Sequence, residues 1–408
     1  MEIGPAHIEA LALAEGLEAR PAHLERVARV VGEDLSRWAF GQWALRARAA
    51  SRFDQAHLML FTAEALEQAT HPAVAAYHAT LFPAGQLVVD CTCGIGSDLI
   101  AFAQRGPVLG FDLDPERVAY ARWNLAALGL SGEVVLGSSL LVPWTARYAY
   151  ADPARRVAGR RTLRLSEFTP SIPEMVARFA KLEVGLLKLS PACDLAELCS
   201  LGAVEMVSFG RQCREALVRV GGDGRSAYHV ESGARCTPSP SPREGEVAPR
   251  SGDGGGNPAL PPSPTASGLP PLGGEDFPQH SEEDGAFPSS QEGRAPLTTY
   301  IAELDPALAR WAVEPGRMLA HDLMLADQPT ESPWLRWYQV EAELDLQHTK
   351  AWLNERNEAL DAVKPRNIDL DPRSFELKVN PKGAPRKWVA IIIGGKPKTK
   401  VFICHRKP

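Results

Sequence analysis

Residues 86–115, QLVVDCTCGIGSDLIAFAQRGPVLGFDLDP, decide the fold of this chain. The apolar run at residues 87–89 is typical of a buried parallel strand, and Asp90 ends it. The sequence CTCGIG at residues 91–96 follows and predicts a tight turn. Glycines in such a turn have no Cβ and therefore let the backbone come close to a ligand.

A helix and a second strand complete this unit. Residues 98–104 return to helical spacing, and the apolar run at residues 108–111 ends at Asp112. An acidic side chain at this position can accept two hydrogen bonds from the hydroxyls of a ribose, as in dinucleotide-binding folds. Leu99 stands where the dinucleotide fingerprint has its third glycine, which argues against NAD. The unit therefore predicts an α/β sheet with a ribose-binding turn.

The length, net charge and hydropathy of the chain argue against several classes of protein. At 408 residues the chain is long enough for two or three domains, and its formal net charge of −6 argues against a general polyanion binder. The sequence does not begin with a basic segment and an apolar core, and no apolar run reaches the roughly 18 residues that span a bilayer. We therefore expect a cytoplasmic protein with no membrane segment.

The cysteines predict neither a disulfide framework nor a metal site. All seven are unevenly spaced, which is typical of thiols in a reducing compartment. Cys91 and Cys93 are too close together for the usual spacing of a structural zinc site, and no second pair follows. We therefore expect no metal, and we interpret Cys93 as a small residue of the ligand-binding turn.

Composition divides the chain into four regions. Residues 1–82 are rich in alanine, leucine, glutamate and arginine, with apolar residues at helical spacing, and predict an all-helical region. Residues 83–230 contain the apolar runs of the α/β core. Residues 231–296 are rich in proline, glycine and serine, so we expect a disordered insert there. Residues 297–408 predict the end of the core and a small α+β domain.

The last region is basic. Residues 364–408 contain 12 Lys and Arg against three acidic residues, although the whole chain carries −6. Strand-like runs occur at residues 375–379, 388–393 and 400–404, and a helix is predicted at residues 349–360. A basic, β-rich end of this kind favours nucleic-acid binding. The alternative is a lysine-rich edge that only keeps the sheet soluble.

Several motifs together resemble one bacterial family, the class I S-adenosylmethionine-dependent methyltransferases with a C-terminal THUMP-like domain. They are LEQAT (66–70), D-x-x-C-G-x-G-x-D (90–98), DLDP (112–115), DPARR (152–156), LLKLSP (186–191), VEMVSFG (204–210) and EP-x-x-x-LA (314–320). The resemblance covers nearly the whole chain apart from residues 231–296. It implies a Rossmann-like methyltransferase core, S-adenosyl-L-methionine as the cofactor and a C-terminal domain of RNA-binding type.

The resemblance also implies a set of cofactor-binding residues. Gly94 and Gly96 admit the methionine end of the cofactor. Asp90 interacts with its amino group, directly or through the turn, and Asp112 holds the ribose hydroxyls. Many members of the class have an acidic residue at the position of Ser138, where it meets the adenine amine. The full set is Asp90, Cys93, Gly94, Gly96, Asp98, Asp112, Asp114 and Ser138.

The predicted fourth strand, residues 148–151, leads into the candidate catalytic motif. Class I N-methyltransferases often have D/N-P-P-aromatic here, and its acidic or amide side chain and first proline carbonyl align the target nitrogen with the methyl group. This chain has Ala154 in place of the second proline and Arg155 in place of the aromatic residue. The catalytic residues implied are Asp152, Pro153, Arg155 and Arg156, with the arginines binding phosphate or stabilising a deprotonated base.

Arginines are concentrated beside this motif. Five lie within ten residues, namely Arg155, Arg156, Arg160, Arg161 and Arg164. Guanidinium groups match the geometry of phosphate, and ion pairs with Glu167 and Glu174 cannot account for all five. We therefore predict that the partner is RNA, either tRNA or rRNA. The predicted RNA contacts are Arg160, Arg161, Arg164, Lys396, Lys398 and Lys400.

The sequence leaves three alternatives open. Cys193 could attack carbon 6 of a pyrimidine during carbon-5 methylation, although it lacks the Cys-Pro order usual in those enzymes and no base is evident beside it. The chain could instead methylate a protein or a small molecule. It could also be an inactive RNA-binding protein of the same fold. Intact Asp90, Asp112 and Asp152 favour an enzyme, and the arginines favour RNA.

Overall fold

The computed structural model describes residues 2–157, 160–237, 300–309, 318–320, 322–326, 329, 332–395 and 399–407. At residues 156–157, 160–161, 318–319 and 326 it describes the backbone alone. The chain divides into two compact units. The first consists of Met1–Phe209 and Arg214–Arg225, and the second of Gly210–Cys213 and Ser226–Pro408.

The first unit begins with a helical region, as predicted from its composition. Its helices are α1 (Pro5–Ala14), α2 (Pro21–Val31), α3 (Glu33–Ala49), α4 (Ala63–Gln68) and α5 (Pro72–Thr80). Proline occupies the first position of α1, α2 and α5, where its missing N–H is not needed. Thr62 caps α4, because its Oγ1 accepts a hydrogen bond from the Ala65 N–H at 3.0 Å.

The strands of the first unit confirm the predicted α/β pattern. They are β1 (Val88–Asp90), β2 (Val108–Asp112), β3 (Glu133–Leu136), β4 (Tyr148–Ala151), β5 (Arg156–Val157), β6 (Arg160–Arg161), β7 (Val184–Leu189), β8 (Gly202–Phe209) and β9 (Gln212–Val220). The main sheet has the order β8-β9-β7-β4-β1-β2-β3. Strands β7, β4, β1, β2 and β3 are parallel, and β9 is antiparallel to β7. Strands β5 and β6 form a separate antiparallel hairpin.

Four helices accompany the sheet. They are α6 (Ser97–Ala103), α7 (Pro115–Ala127), α8 (Ile172–Phe179) and α9 (Leu195–Leu201). The buried carboxamide of Asn124 on α7 accepts from the Leu60 N–H at 2.7 Å and donates to the carbonyls of Leu60 at 3.1 Å and Ile95 at 2.9 Å. Three hydrogen bonds from one buried amide thus join the helical region, α7 and the turn after β1 in a single core.

The second unit is an α+β structure. Its strands are β10 (Arg225–His229), β11 (Ala234–Cys236), β12 (Tyr300–Leu304), β13 (Met318–Ala320), β14 (Leu323–Ala326), β15 (Leu335–Leu344), β16 (Ala359–Arg366), β17 (Arg386–Ile393) and β18 (Lys400–Arg406). Its helices are α10 (Pro306–Ala309), α11 (Thr349–Arg356) and α12 (Pro372–Val379). Seven strands form one sheet in the order β13-β14-β12-β15-β18-β17-β16. Apolar residues of α11 and α12 share a core with Trp388 and Ile392 of β17.

An ion pair indicates that this sheet is strongly curled. The Glu303 carboxylate on β12 accepts hydrogen bonds from Lys364 at 2.6 Å and Arg366 at 3.0 Å, both on β16. Three strands separate β12 from β16 in the sheet, which would place them roughly 19 Å apart if the sheet were flat. The sheet therefore bends so that β12 and β16 approach each other.

Three local predictions for the second half of the chain were wrong. Residues 375–379 were predicted as a strand but lie in α12, because Asp371 caps this helix at the Ser374 N–H, 2.7 Å away, and Pro372 starts it. The helix predicted at residues 349–360 ends at Arg356, since Asn357 is left-handed with φ 49°. Residues 231–237 were predicted to belong to the disordered insert, but the structure describes them, and Ala234–Cys236 pair with β10. Residues 238–296 lie outside the described residues.

Among the described residues, no helix is both long enough and apolar enough to cross a membrane.

Candidate active site

The turn after β1 brings the predicted cofactor-binding residues to the carboxyl edge of the sheet. Gly94 has φ +56°, and a Cβ there would meet no atom within 4 Å, so the space beside it is open. Gly96, with φ +96°, is the N-cap of α6. Cys93 is buried instead. Its Sγ would lie 3.0 Å from a Cβ at Gly110, so its side chain packs against β2, below the turn.

Asp112, at the end of β2, has a carboxylate that can accept further hydrogen bonds. Asp112 accepts the Gly94 N–H on Oδ2 at 3.0 Å and the Asp114 N–H on Oδ1 at 2.8 Å. Because each carboxylate oxygen has two acceptor positions, one remains on each. The neighbouring Leu113 side chain is 62% exposed and provides an apolar surface at the same edge.

Two other predicted cofactor residues have local structural roles. Asp114 caps α7, since its Oδ1 accepts from the N–H groups of Glu116 at 2.8 Å and Arg117 at 3.3 Å. Ser138 is half-buried after β3, and its Oγ accepts from the Leu140 N–H at 3.3 Å. The Ser138 hydroxyl can still donate its own proton to a ligand.

A hydrogen-bonded link joins the turn to the end of β4. Asp90 is almost fully buried and accepts the Thr92 N–H at 3.0 Å. Burial raises the pKa of Asp90 well above its usual value, and the charge of Asp98 raises it further. The hydroxyl oxygen of Thr92 accepts the backbone N–H of Asp152 at 2.7 Å. The candidate catalytic motif is therefore fixed directly beside the turn.

The carboxylate of Asp152 is held by a lysine on the neighbouring strand. Lys188 of β7 donates to Asp152 Oδ2 at 2.6 Å and to Thr70 Oγ1 at 2.8 Å. Burial raises the pKa of Asp152, although the charge of Lys188 opposes this effect. Pro153 is buried, and Ala154 exchanges two backbone hydrogen bonds with Thr169, at 2.7 and 3.1 Å. Hydrogen bonds thus hold this motif on both sides.

The prediction that Asp98 contacts the cofactor would require its side chain to face open space. Asp98 instead lies in a buried polar network. Its Oδ2 accepts the Thr70 hydroxyl at 2.6 Å, and its Oδ1 lies 2.8 Å from His78 Nδ1. The other ring nitrogen of His78 is hydrogen-bonded to Glu215 of β9. Asp98 is only 7% exposed because these protein groups surround it.

The network fixes the charge of its histidine. Burial alone would lower the pKa of His78, but the charge of Glu215 and the hydrogen bonds to Asp98 and Glu215 raise it to about 9. Burial alone would raise the pKa of Asp98, but His78 lowers it to about 2. His78 is therefore an imidazolium between two carboxylates near neutral pH.

The predicted arginine cluster is described in part. The half-buried Arg155 side chain has no acidic partner among the described residues, and the Arg155 carbonyl accepts the Thr162 N–H at 2.8 Å. Arg164 is exposed and lies 3.8 Å from Glu167. The backbones of Arg156, Arg160 and Arg161 lie in β5 and β6, and their side chains are outside the described residues.

The predicted lysine contacts are also described only in part. Lys400 on β18 pairs with Glu343 at 2.8 Å. Lys396 and Lys398 lie outside the described residues.

In the described ranges, no group of three or more His, Cys, Asp or Glu is arranged to hold a metal ion.

Sequence reasoning missed four members of the network. Thr70 closes the LEQAT motif, and Lys188 is the one charged residue in the apolar run LLKL, so each had a sequence signal without an assigned role. His78 on α5 and Glu215 on β9 had no local signal. They come together only because the helical region packs beside β9.

Comparison with curated proteins finds relatives that match part of this chain. Two curated proteins from strains of Mycobacterium tuberculosis, each named an uncharacterized S-adenosylmethionine-dependent methyltransferase, are 35% identical over 193 residues. These residues are 45% of this chain and 53% of each relative, so the chain spans about half the length of the curated relatives it matches. No family model matches the chain.

A solved structure defines the fold class. A crystal structure from Porphyromonas gingivalis, provisionally assigned as a methyltransferase, matches 100% of this chain and 99% of its own with a TM-score of 0.67 and 18% identity. The chain therefore has a Rossmann-like methyltransferase fold, which confirms the prediction for the core. The THUMP-like character of the second unit stays a prediction.

Proposed function

We propose that this chain is an S-adenosylmethionine-dependent methyltransferase that methylates a nitrogen of a base in tRNA or rRNA. The observation that carries the proposal is the position of Asp152 at the carboxyl end of β4, bonded through Thr92 to the glycine turn and through its carboxylate to Lys188. The names of both M. tuberculosis relatives support the cofactor assignment.

The residues at the edge of the sheet fit this cofactor. The open space beside Gly94 can accept its methionine end. Asp112 keeps one acceptor position on each oxygen for the two ribose hydroxyls, and the exposed Leu113 offers an apolar surface to the adenine ring. When bound, the cofactor supplies an electrophilic methyl group on a sulfonium.

The end of β4 can align an acceptor nitrogen. Lys188 occupies Asp152 Oδ2, which leaves Oδ1 for an N–H of the target, and the Pro153 carbonyl is a second acceptor. The nitrogen lone pair forms the new N–C bond, and the electron pair of the broken S–C bond stays on sulfur. The nitrogen proton goes to Asp152 and then to water. Its raised pKa makes Asp152 a better base at neutral pH.

The burial of Cys193 favours nitrogen over carbon 5 of a pyrimidine as the acceptor. Carbon-5 methylation requires a thiolate that reaches carbon 6 of the base. Cys193 is 1% exposed, and its N–H donates to the Ser190 carbonyl within the turn after β7. A thiol in this position has no direct access to a base.

The charge pattern favours RNA over a small molecule. Arg155 has no acidic partner among the described residues and directly follows the aligned motif. Arg164 is 82% exposed at its side chain. Guanidinium groups suit phosphate, and the basic end of the chain, residues 364–408, adds a second positive surface. The predicted THUMP-like character of the second unit supports the same partner.

We expect Asp112→Ala to weaken S-adenosylmethionine binding at least about tenfold, because hydrogen bonds to a charged group contribute about 1.5–3 kcal/mol each. Isothermal titration calorimetry measures this directly. Glu133→Gln is the matched control, since Glu133 is exposed at the opposite, amino end of β3. Equal affinities of Asp112→Ala and the native protein would rule out the ribose assignment. NAD should not bind to any of them.

The RNA proposal predicts a change in salt dependence. Arg155→Gln and Arg164→Gln should each lower the slope of log affinity against log salt by about one, since each removes a phosphate contact. Arg147→Gln is the control, because Arg147 pairs with Glu183 at the amino end of β4. Fluorescence anisotropy with tRNA and rRNA fragments gives the slopes. Unchanged slopes, together with methyl transfer to a small acceptor, would favour the small-molecule alternative.

A further inference from the structure

Several cations in the second unit share one buried carboxylate. Glu303 of β12 accepts hydrogen bonds from Lys364 at 2.6 Å and from Arg366 at 3.0 Å. The guanidinium groups of Arg211 and Arg336 also lie close to Glu303 Oε2, at 3.9 and 3.8 Å. These four cationic side chains form what we call the basic cluster.

The basic cluster lies beside an apolar core of the curled sheet. Arg336 is directly opposite Glu303 in the pairing of β15 with β12, so the two side chains lie on the same face. Ile301 and Tyr338, two positions away on the same strands, belong to that core. Arg211 comes from the turn before β9, in the part of the chain that belongs to the second unit, and its φ of 59° is uncommon for a residue other than glycine.

Two of the four cations lack a hydrogen-bond acceptor among the described residues. Lys364 and the Tyr338 hydroxyl already donate to Glu303 Oε2, and 3.8–3.9 Å is too long for a hydrogen bond from Arg211 or Arg336. In the part of the chain that the structure describes, Glu303 is the one carboxylate within 4 Å of either guanidinium. Each of the two side chains is only 28% exposed. Partly buried donors of this kind favour an anionic ligand.

The cations also repel one another. Arg366 divides its guanidinium between Glu303 and Asp322, which lies 2.7 Å away. Within the described ranges, the other three cations have Glu303 as their one carboxylate within 4 Å. Like charges this close together in a half-buried site interact unfavourably. A phosphate group would accept hydrogen bonds from the guanidiniums and would reduce the repulsion.

We propose that the basic cluster binds a backbone phosphate of the RNA substrate, with Arg211 and Arg336 as the hydrogen-bond donors. This inference rests on the proposed function. Lys364 and Arg366 begin the basic region at residues 364–408, in which 12 Lys and Arg outnumber three acidic residues. A basic region of this size suits a polyanion better than a single small anion, which favours RNA as the source of the phosphate.

Fluorescence anisotropy with labelled tRNA and rRNA fragments tests the inference. Arg211→Gln and Arg336→Gln should each weaken RNA binding about tenfold and lower the slope of log affinity against log salt by about one, because each removes a charge-assisted bond to phosphate. Urea unfolding without RNA is the second readout. Both variants should be no less stable than the native protein, since each relieves repulsion among the cations. Lower stability with native RNA affinity would show a purely structural cluster and overturn the inference.

Arg356→Gln is the charge control, because Arg356 of α11 lies in the same unit and already pairs with Glu355. It should leave the affinity and the slope unchanged. Native affinity and slope in Arg211→Gln and Arg336→Gln would overturn the inference and leave the proposed function standing.

Calorimetry with inorganic phosphate distinguishes a free anion from RNA. If the native protein binds inorganic phosphate and the two variants lose this binding but keep their RNA affinity, the cluster takes free phosphate and the inference is overturned. Failure of the native protein to bind any of the RNA fragments would overturn the proposed function together with this inference. Either variant alone decides the matter if the other does not fold.

Discussion

Asp152→Ala should lower methyl transfer to RNA by a factor of about 10² or more, because it removes the group that we propose both aligns the acceptor nitrogen and takes its proton. Single-turnover assays with labelled S-adenosylmethionine measure this step without product release. Cofactor affinity should fall much less than the rate, since Asp112 and Gly94 are unchanged. A rate within about threefold of the native value would contradict a catalytic role for Asp152.

Cys193→Ser distinguishes the two chemistries. For a nitrogen acceptor, this variant should transfer methyl groups at nearly the native rate, because the buried thiol is a bystander. RNA that contains 5-fluoropyrimidines should form no covalent adduct. If Cys193→Ser abolishes turnover and the native protein forms the adduct, the acceptor is carbon 5 of a pyrimidine.

The second large effect concerns stability. His78→Leu should destabilise the first unit by about 3–5 kcal/mol, because it leaves the buried carboxylates of Asp98 and Glu215 without the cation between them. Urea unfolding at pH 6 measures the loss. His57→Leu is the control, since His57 is exposed in the same unit. Equal stability of the two variants would show that the network contributes little to folding.

The same histidine predicts a pH dependence. The pKa of His78 is raised from 6.5 to about 9 in the folded state. Its contribution is therefore fully present below pH 6.5 and is lost as the pH rises through 9. The shift corresponds to about 3 kcal/mol. The free energy of unfolding should thus fall between pH 6 and 10 in the native protein, and this difference should vanish in His78→Leu. A parallel decline in both would contradict the assignment.

Local sequence patterns were sufficient to predict the strands of the parallel core. The apolar run that ends at Asp112 was predicted as a strand from residue 108 and β4 was predicted at residues 148–151, and the structure has both at these positions. Buried parallel strands are short apolar runs between turns, so their signal is local. For the same reason the two acidic strand ends, Asp90 and Asp112, identified the edge of the sheet where the candidate site lies.

The polar network could not be predicted because its signal is not local. Thr70 precedes α5, Lys188 lies on β7 and Glu215 on β9, so only the tertiary fold brings them together. Asp98 was predicted to meet the cofactor because it closes the D-x-x-C-G-x-G-x-D motif of the resembled family, but its partners Thr70 and His78 come from the distant helical region. Residues 375–379, FELKV, fit a strand by alternation and a helix by the spacing of Phe375 and Val379. The cap at Asp371 stabilises the helix rather than the strand.

Mass spectrometry of nucleosides tests the central claim most directly. Total tRNA and rRNA would be compared between the parent strain, a strain that lacks the gene, and deletion strains carrying either the native gene or Asp152→Ala. We expect one base methylated on nitrogen to be absent from the deletion strain, restored by the native gene and not restored by Asp152→Ala. Identical nucleoside profiles in all four strains would contradict the account.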